Sequence, residues 1–386
     1  MIDCVLEMRA GMGRIASMLF SLLTLSVYAG GSISDIKVFS GYPWKAVILG
    51  YKVTGSVEQP AAIMLKAHDS VTGITYDCSS LEGVNLSEGT HTIKWNAEAD
   101  GAKFKSDNVV FTMRVIMPTY CVIDISAGPD AEQYPVSYLE DVPKGGWTDE
   151  YKTTKLVLRW CPAGKFTSAK FDCGEVTVTK DFFAGVFEVT QKQWLQVMGA
   201  RPSSASLSVT GDMYPVCGIS YNDIRGDSLG TRWPSSSSVD PISFMGKLRS
   251  KTKLKELDLP TEAQWERACR ADTVTTYNTG DGASALALAG WYSGNANDTN
   301  HPVGQKVANA WGLYDMHGNV WELCLDWYGG NFSGTNPKGP VSGSYRSCRG
   351  GCWMLPAGYS TSSNRSYCSP SDADGIMGFR LFRTCQ

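Results

Sequence analysis

The chain has 386 residues, twelve of them cysteine, with a formal net charge of -3 and 43% apolar side chains. That length holds two or three domains of ordinary size. The small net charge leaves no electrostatic footprint for nucleic acid, so no nucleic-acid partner is expected.

Residues 1–29 read as an export signal. Arg9 and Arg14 supply positive charge, residues 15–25 are mostly apolar, and Val27-Tyr-Ala29 suits a cleavage site. The competing reading is a buried helix. The apolar run is short for a membrane span and nothing else approaches one, so no span is expected once the signal is cleaved. A secreted, cell-surface or periplasmic location would permit disulfides. Loss of Cys4 with the signal would leave an odd number of cysteines, so at least one thiol would stay free or pair between chains.

Residues 32–127 carry short β-rich runs at 46–53, 62–67, 91–95, 109–115 and 120–125, separated by Gly, Asn, Ser and Asp. That punctuation predicts an all-β immunoglobulin-like sandwich, a spacer or docking module. Residues 128–154, with Gly145-Gly146, read as a connector.

Residues 155–386 mix helix and strand signals, which predicts an α+β domain. Thr190 to Gln193 and Thr261 to Gln264 have capping-box spacing, in which the Thr hydroxyl accepts from the third helical N–H and the Gln reaches back. Trp194, Val197 and Met198 then share a face, as do Trp265, Ala268 and Cys269. Asp240-Pro241 predicts a third helix, with Asp as its N-cap. The stretch between Arg225 and Pro241 reads as an insertion loop. Its Arg225-Gly-Asp227 tripeptide is the kind of adhesion match that arises by chance.

Several motifs in this part carry a resemblance. They are FFAGVFEVTQKQW at 182–194, PVCGISYND at 215–223, LPTEAQWERAC at 259–269, NAWGLYDMHGNVWELC at 309–324, RGGCW at 349–353 and GFRL at 378–381. Together, and in this order, they resemble the formylglycine-generating enzyme (sulfatase-modifying factor) family, whose domain is a variant of the C-type lectin fold. The resemblance implies an oxidase that converts a sulfatase cysteine to formylglycine on copper held by two cysteines. Two thiolates are soft ligands suited to Cu(I).

The copper pair is where this chain departs from the pattern. Counting forward from Trp353, the two positions fall on Leu355 and Ser360. Counting back from Arg365, they fall on Cys352 and Ala357. In neither register are both cysteine. Cys352 is the one catalytic candidate, as a lone copper thiolate. The competing reading is a disulfide with Cys324, Cys348, Cys368 or Cys385, or a buried thiol. One thiolate holds Cu(I) poorly, so copper is not expected. His68, His91, His301 and His317 lack the clustering an iron site of related enzymes would need. Hydrolase chemistry lacks a nucleophile elbow and a histidine partner.

The resemblance also implies calcium, a hard ion that takes oxygen ligands. One set maps onto Asn319, Val320, Glu322 and Cys324, and a second onto Asn295, Ala296, Asn309 and Trp311. Val320, Cys324, Ala296 and Trp311 would act through backbone oxygen. The competing reading is that Asn319 and Glu322 satisfy buried loop amides.

The segment 353–377 is rich in Ser, Tyr, Asp and Gly, a mix that suits an adaptable binding surface. It also resembles the region that retroelement-diversified proteins of this fold vary. Trp353, Tyr359, Arg365 and Tyr367 are its candidate ligand-binding residues, and an ordinary solvated loop is the competing reading. The expected function is a secreted bacterial binding scaffold for a protein or glycan at the cell surface. The alternative is an active formylglycine-generating oxidase.

Overall fold

The computed structural model describes residues 25–26, 32–39, 45–54, 62–104, 109–116, 118–168, 174–202, 209–330 and 333–385. Most of the expected export signal lies outside these residues. Among them, no helix is long and apolar enough to cross a membrane. The chain divides into two compact units, one of residues 1–119 and 135–140, the other of residues 120–134 and 141–386.

In the first unit strict alternation builds the core. Val47, Leu49, Tyr51 and Val53 turn inward from the strand Ala46–Thr54, and Lys52 and Thr54 turn outward. One sheet runs in the order Leu25–Ser26, Ser32–Val38, Ala46–Thr54, Gly89–Asn96, Leu81–Glu82. The other runs Thr75–Asp77, Ala62–Asp69, Val109–Ile116. A single apolar cluster draws on both, with Leu49, Ile93 and Trp95 from the first sheet and Leu65, Phe111 and Met113 from the second. Asp100 anchors this core from below Trp95, accepting its indole N–H at 2.7 Å and the backbone N–H of Ser79 at 2.7 Å.

The strand Tyr120–Asp124, expected to close the first domain, pairs instead with Lys155–Cys161 in the second unit. The reason is visible in its composition. Tyr120, Cys121, Val122 and Ile123 are all buried, so both faces are covered, as in a central strand and unlike a half-solvated one. The second unit therefore begins well before residue 155.

Its main sheet places Tyr120–Asp124, Lys155–Cys161, Phe182–Gly185, Phe382–Thr384 and Leu257–Asp258 side by side. A second sheet runs Arg365–Cys368, Arg346–Arg349, Trp321–Trp327, Met377–Gly378. The helices Gln191–Met198 and Glu262–Arg270 open on the two expected capping boxes. The third helix starts later than expected. Ser243 caps Phe244–Thr252, its hydroxyl accepting from Gly246 N–H at 3.1 Å. Asp240 is spent on the insertion loop, accepting from Ser228 and Leu229 N–H at 3.0 and 2.8 Å. Arg225 is fully buried against Asp258 at 2.7 Å, so the Arg-Gly-Asp tripeptide is not presented as an adhesion motif.

Candidate functional site

The strand pair Arg346–Arg349 and Arg365–Cys368, with the loops that follow Gly351 and Cys368, walls a cleft of about 660 Å³. Trp321, Leu355, Ile376 and Met377 give it an apolar lining. Asp372 and Asp374 add two carboxylates, and the half-exposed rings of Tyr359 and Tyr367 stand in its wall. Tyr367 packs against Tyr328 and Tyr345 at ring separations of 4.8 and 5.0 Å, which extends the aromatic surface. An apolar cleft with a few polar groups is the usual form of a ligand site.

The four expected ligand-binding residues separate. Tyr359 and Tyr367 reach the cleft. Arg365 does not: it is buried, and its Nε and a terminal nitrogen meet the two oxygens of Glu262 at 2.5 and 2.9 Å. A guanidinium so clasped holds the strand to the helix Glu262–Arg270 and is not offered to a ligand. Trp353 is half-buried and stands apart from the lining. Its backbone N–H donates to Asn319 O at 2.9 Å, and its indole N–H is buried with no hydrogen-bond partner. Of the other cleft residues, Asp372, Asp374 and Met377 fall within the segment 353–377 marked by the sequence, whereas Trp321, passed over, comes from the strand Trp321–Trp327 and reaches the cleft by pairing with Met377.

Cys352 is fully buried and does not line the cleft. The backbone N–H groups of Met354 and Leu355 face its sulfur, but burial dominates and pushes the thiol up to about 11. Leu355 lines the cleft, and Ser360 is buried with its hydroxyl unpartnered. All ten described cysteines are free thiols, so the expected disulfide to Cys352 is not formed among the described residues.

The calcium sets are committed elsewhere. Glu322 Oε2 accepts from Trp265 Nε1 at 2.7 Å, and both its oxygens accept from Arg380. Asn319 Oδ1 accepts from His301 N–H at 2.9 Å, and its Nδ2 donates to Glu188 Oε2 at 2.7 Å. Val320 N–H donates to Glu188 Oε1 at 3.2 Å, and the Cys324 thiol donates to Glu322 O at 3.8 Å. In the second set Asn295 Oδ1 accepts from Tyr292 N–H at 2.9 Å, and Ala296 O meets His301 Nε2 at 2.9 Å. Asn309 Oδ1 accepts from Trp311 and Leu313 N–H at 3.0 and 3.1 Å. Every side-chain oxygen in both sets already accepts a hydrogen bond, and the charge of Glu322 is answered by Arg380. A calcium ion at either set would share these side-chain oxygens with their present donors, and at the first set would compete with Arg380 for Glu322.

One cysteine–histidine approach exists where none was expected. Cys269 Sγ lies 3.7 Å from His317 Nε2. The imidazole is already used: Nε2 accepts from Asn278 N–H at 3.0 Å and Nδ1 donates to Ser360 O at 2.7 Å. Burial holds Cys269 up to about 12 and His317 down to about 4, so the thiol stays protonated and the imidazole, its Nε2 already accepting from Asn278, is too weak a base to activate it.

The fold and cleft define a mixed α+β domain built on the motifs of the formylglycine-generating enzymes. Residues 137–385 match the model of the sulfatase-modifying factor enzyme 1-like domain, and the chain belongs to that family. It is 28% identical to the chaperone protein LppX of Paenibacillus barcinonensis over 57% of this chain and 87% of that protein. It is 40% identical to the serine/threonine-protein kinase pkn1 of Chlamydia caviae over 39% of this chain and 23% of the kinase. With the formylglycine-generating enzyme of Streptomyces coelicolor it shares 29% identity over 48% of this chain and 59% of the enzyme. The chain thus spans under two thirds of those last two relatives. Among solved structures, Treponema denticola variable protein 1 is similar at 25% identity and a TM-score of 0.49, covering 60% of this chain and 96% of that one.

Proposed function

We propose that this chain is a non-catalytic binding scaffold whose cleft takes a protein or glycan ligand. The observation that supports this reading is the cleft wall itself. Leu355, at the first copper position in one register, contributes an apolar side chain to the cleft, while Ser360, at the second, is buried. In the other register the two positions are Cys352 and Ala357, and Cys352 is a buried thiol pushed up to about 11. Neither arrangement supplies the two soft ligands that Cu(I) chemistry needs. The names of the relatives support it too, since chains called a chaperone, a kinase and a formylglycine-generating enzyme share this segment. Fold alone does not carry the oxidase activity.

On this reading the first unit is an immunoglobulin-like spacer, and the protein is exported to the cell surface or periplasm. The deciding experiment incubates the purified chain, with and without Cu(I), with a peptide bearing C-x-P-x-R. The expected result is no aldehyde. Aldehyde formation that Cys352→Ser abolishes would replace the scaffold by the oxidase. In parallel, labelled protein is read on glycan and surface-protein panels. Bound signal that falls at least tenfold in Tyr359→Ala and Tyr367→Ala is expected, because aromatic anchors dominate such surfaces and their loss costs roughly 2 kcal/mol.

A further inference from the structure

The floor of the cleft is one face of a sheet. Trp321 pairs with Met377, Leu323 with Cys348, and Cys348 in turn with Ser366. Side chains two apart on a strand share a face, as do those paired across strands. Trp321, Met377, Cys348, Ser366 and Cys368 therefore look the same way. All five line the cleft, and apart from the Ser366 hydroxyl they offer it mostly ring, thioether and thiol surface. Two loops wall this floor. Residues 352–359 bring Leu355 and Tyr359, and residues 369–376 bring Asp372 and Asp374.

The charge here has one sign. No lysine or arginine lines the cleft. The arginines of its two strands are spent elsewhere. Arg346 donates to Leu325 O and Thr231 O, both at 2.7 Å, Arg349 pairs with Glu266, and Arg365 is held by Glu262. Asp372 Oδ2 accepts from Ser369 N–H at 3.0 Å, and neither Asp372 nor Asp374 forms an ion pair with a described residue.

An apolar floor beside two carboxylates without a cation complements a long side chain with a cationic end. Lysine and arginine bury a methylene stem and keep the charged head among polar groups. A glycan suits the floor less well, because hydroxyls pressed onto it would lose water and gain few partners. The strand Arg365–Cys368 is also the outermost of its sheet, and edge strands pair with extended peptide backbone. We propose that the cleft takes an extended segment of a protein partner through a lysine or arginine side chain, its stem on the sheet face and its cationic head at Asp372 and Asp374. This rests on the scaffold reading of the cleft and chooses protein over glycan.

The test measures fluorescence anisotropy of labelled hexalysine, hexaglutamate and chitohexaose on the full-length protein. Hexalysine is expected to bind, more weakly as salt rises, and the other two are expected not to bind. Asp372→Asn and Asp374→Asn should each weaken hexalysine by about threefold, within the range of a solvated ion pair, and the double variant by more. Asp227→Asn removes the same charge from the exposed insertion loop and should leave the affinity unchanged. Circular dichroism confirms that each variant is folded. Hexalysine that binds the parent and every variant alike would reduce the contact to general attraction and overturn the assignment, as would no hexalysine binding at all. Chitohexaose binding that Tyr359→Ala removes would also overturn it while leaving the scaffold reading in place. Aldehyde formation on the C-x-P-x-R peptide would instead remove the scaffold reading and this inference with it.

Discussion

Arg380 clasps Glu322 in the interior of the second unit. Its Nε donates to the two carboxylate oxygens at 2.8 and 2.7 Å, and a terminal nitrogen donates to Oε1 at 2.5 Å. Both side chains are fully buried, and Trp265 completes the acceptor's shell. One residue comes from the chain's last motif and the other from the motif near 320, so the pair ties the strand Trp321–Trp327 to the segment between Met377–Gly378 and Phe382–Thr384, with the helix Glu262–Arg270 joined through Trp265.

That pair makes a prediction about calcium. Glu322→Ala strands a buried guanidinium, and breaking one side of such a pair costs about 3–5 kcal/mol. The loss should be the same in calcium and in chelator, and chelator should leave the melting temperature of the parent protein unchanged. Thermal melts in both buffers are the check. A chelator-induced drop that Glu322→Ala removes would restore a metal to this site.

The residues expected to bind ligand should divide into structural and exposed classes. Arg365→Ala leaves the buried Glu262 carboxylate without its bidentate partner, and should cost about 3 kcal/mol or more. Tyr359→Ala and Tyr367→Ala remove half-exposed rings, and should change stability by no more than about 0.5 kcal/mol. Urea denaturation of the three variants separates them. Equal losses would contradict the assignment of Arg365 to the frame and the tyrosines to the surface.

His317 should make the domain sensitive to acid. Burial lowers its folded pKa to about 4 from an ordinary 6.5. Between those values the unfolded chain binds a proton that the folded chain refuses, so stability is full above pH 6.5 and falls as pH drops toward 4. The loss over that window is on the order of 3 kcal/mol. His317→Gln should flatten this part of the stability–pH curve. NMR titration of the parent imidazole should show no midpoint near 6.5.

The helix Glu262–Arg270 depends on its cap. Thr261 Oγ1 accepts from Gln264 N–H at 3.1 Å, and Gln264 Oε1 accepts from Thr261 N–H at 3.0 Å. Thr261→Ala leaves the helical N–H unmet and should cost about 1 kcal/mol. Thr261→Ser should recover most of that. Chemical denaturation midpoints measure both.

Local signals were enough for the family, the two capping boxes and the alternating strands of the first unit, because each rests on residues within one turn or one strand. The helix at Phe244 shows their limit. Asp240-Pro241 has the form of a helix start, yet the carboxylate was drawn to Ser228 and Leu229, eleven or twelve residues back, and Ser243 took its place. The strand Tyr120–Asp124 shows the same limit at domain scale. Its unbroken apolar run announced a doubly buried strand, but not which sheet would bury it.

The fates of Arg365, Glu322 and Asn319 could be decided only by tertiary structure. Sequence spacing placed them at functional positions of a family. Glu262, Arg380 and Glu188 then claimed them from 103, 58 and 131 residues away. A buried charge or amide must find a partner, and that partner is chosen by packing and not by proximity in the chain. The sequence by itself determined that the two copper positions implied by the resemblance are not both cysteine in either register. Only the fold decided what stands there.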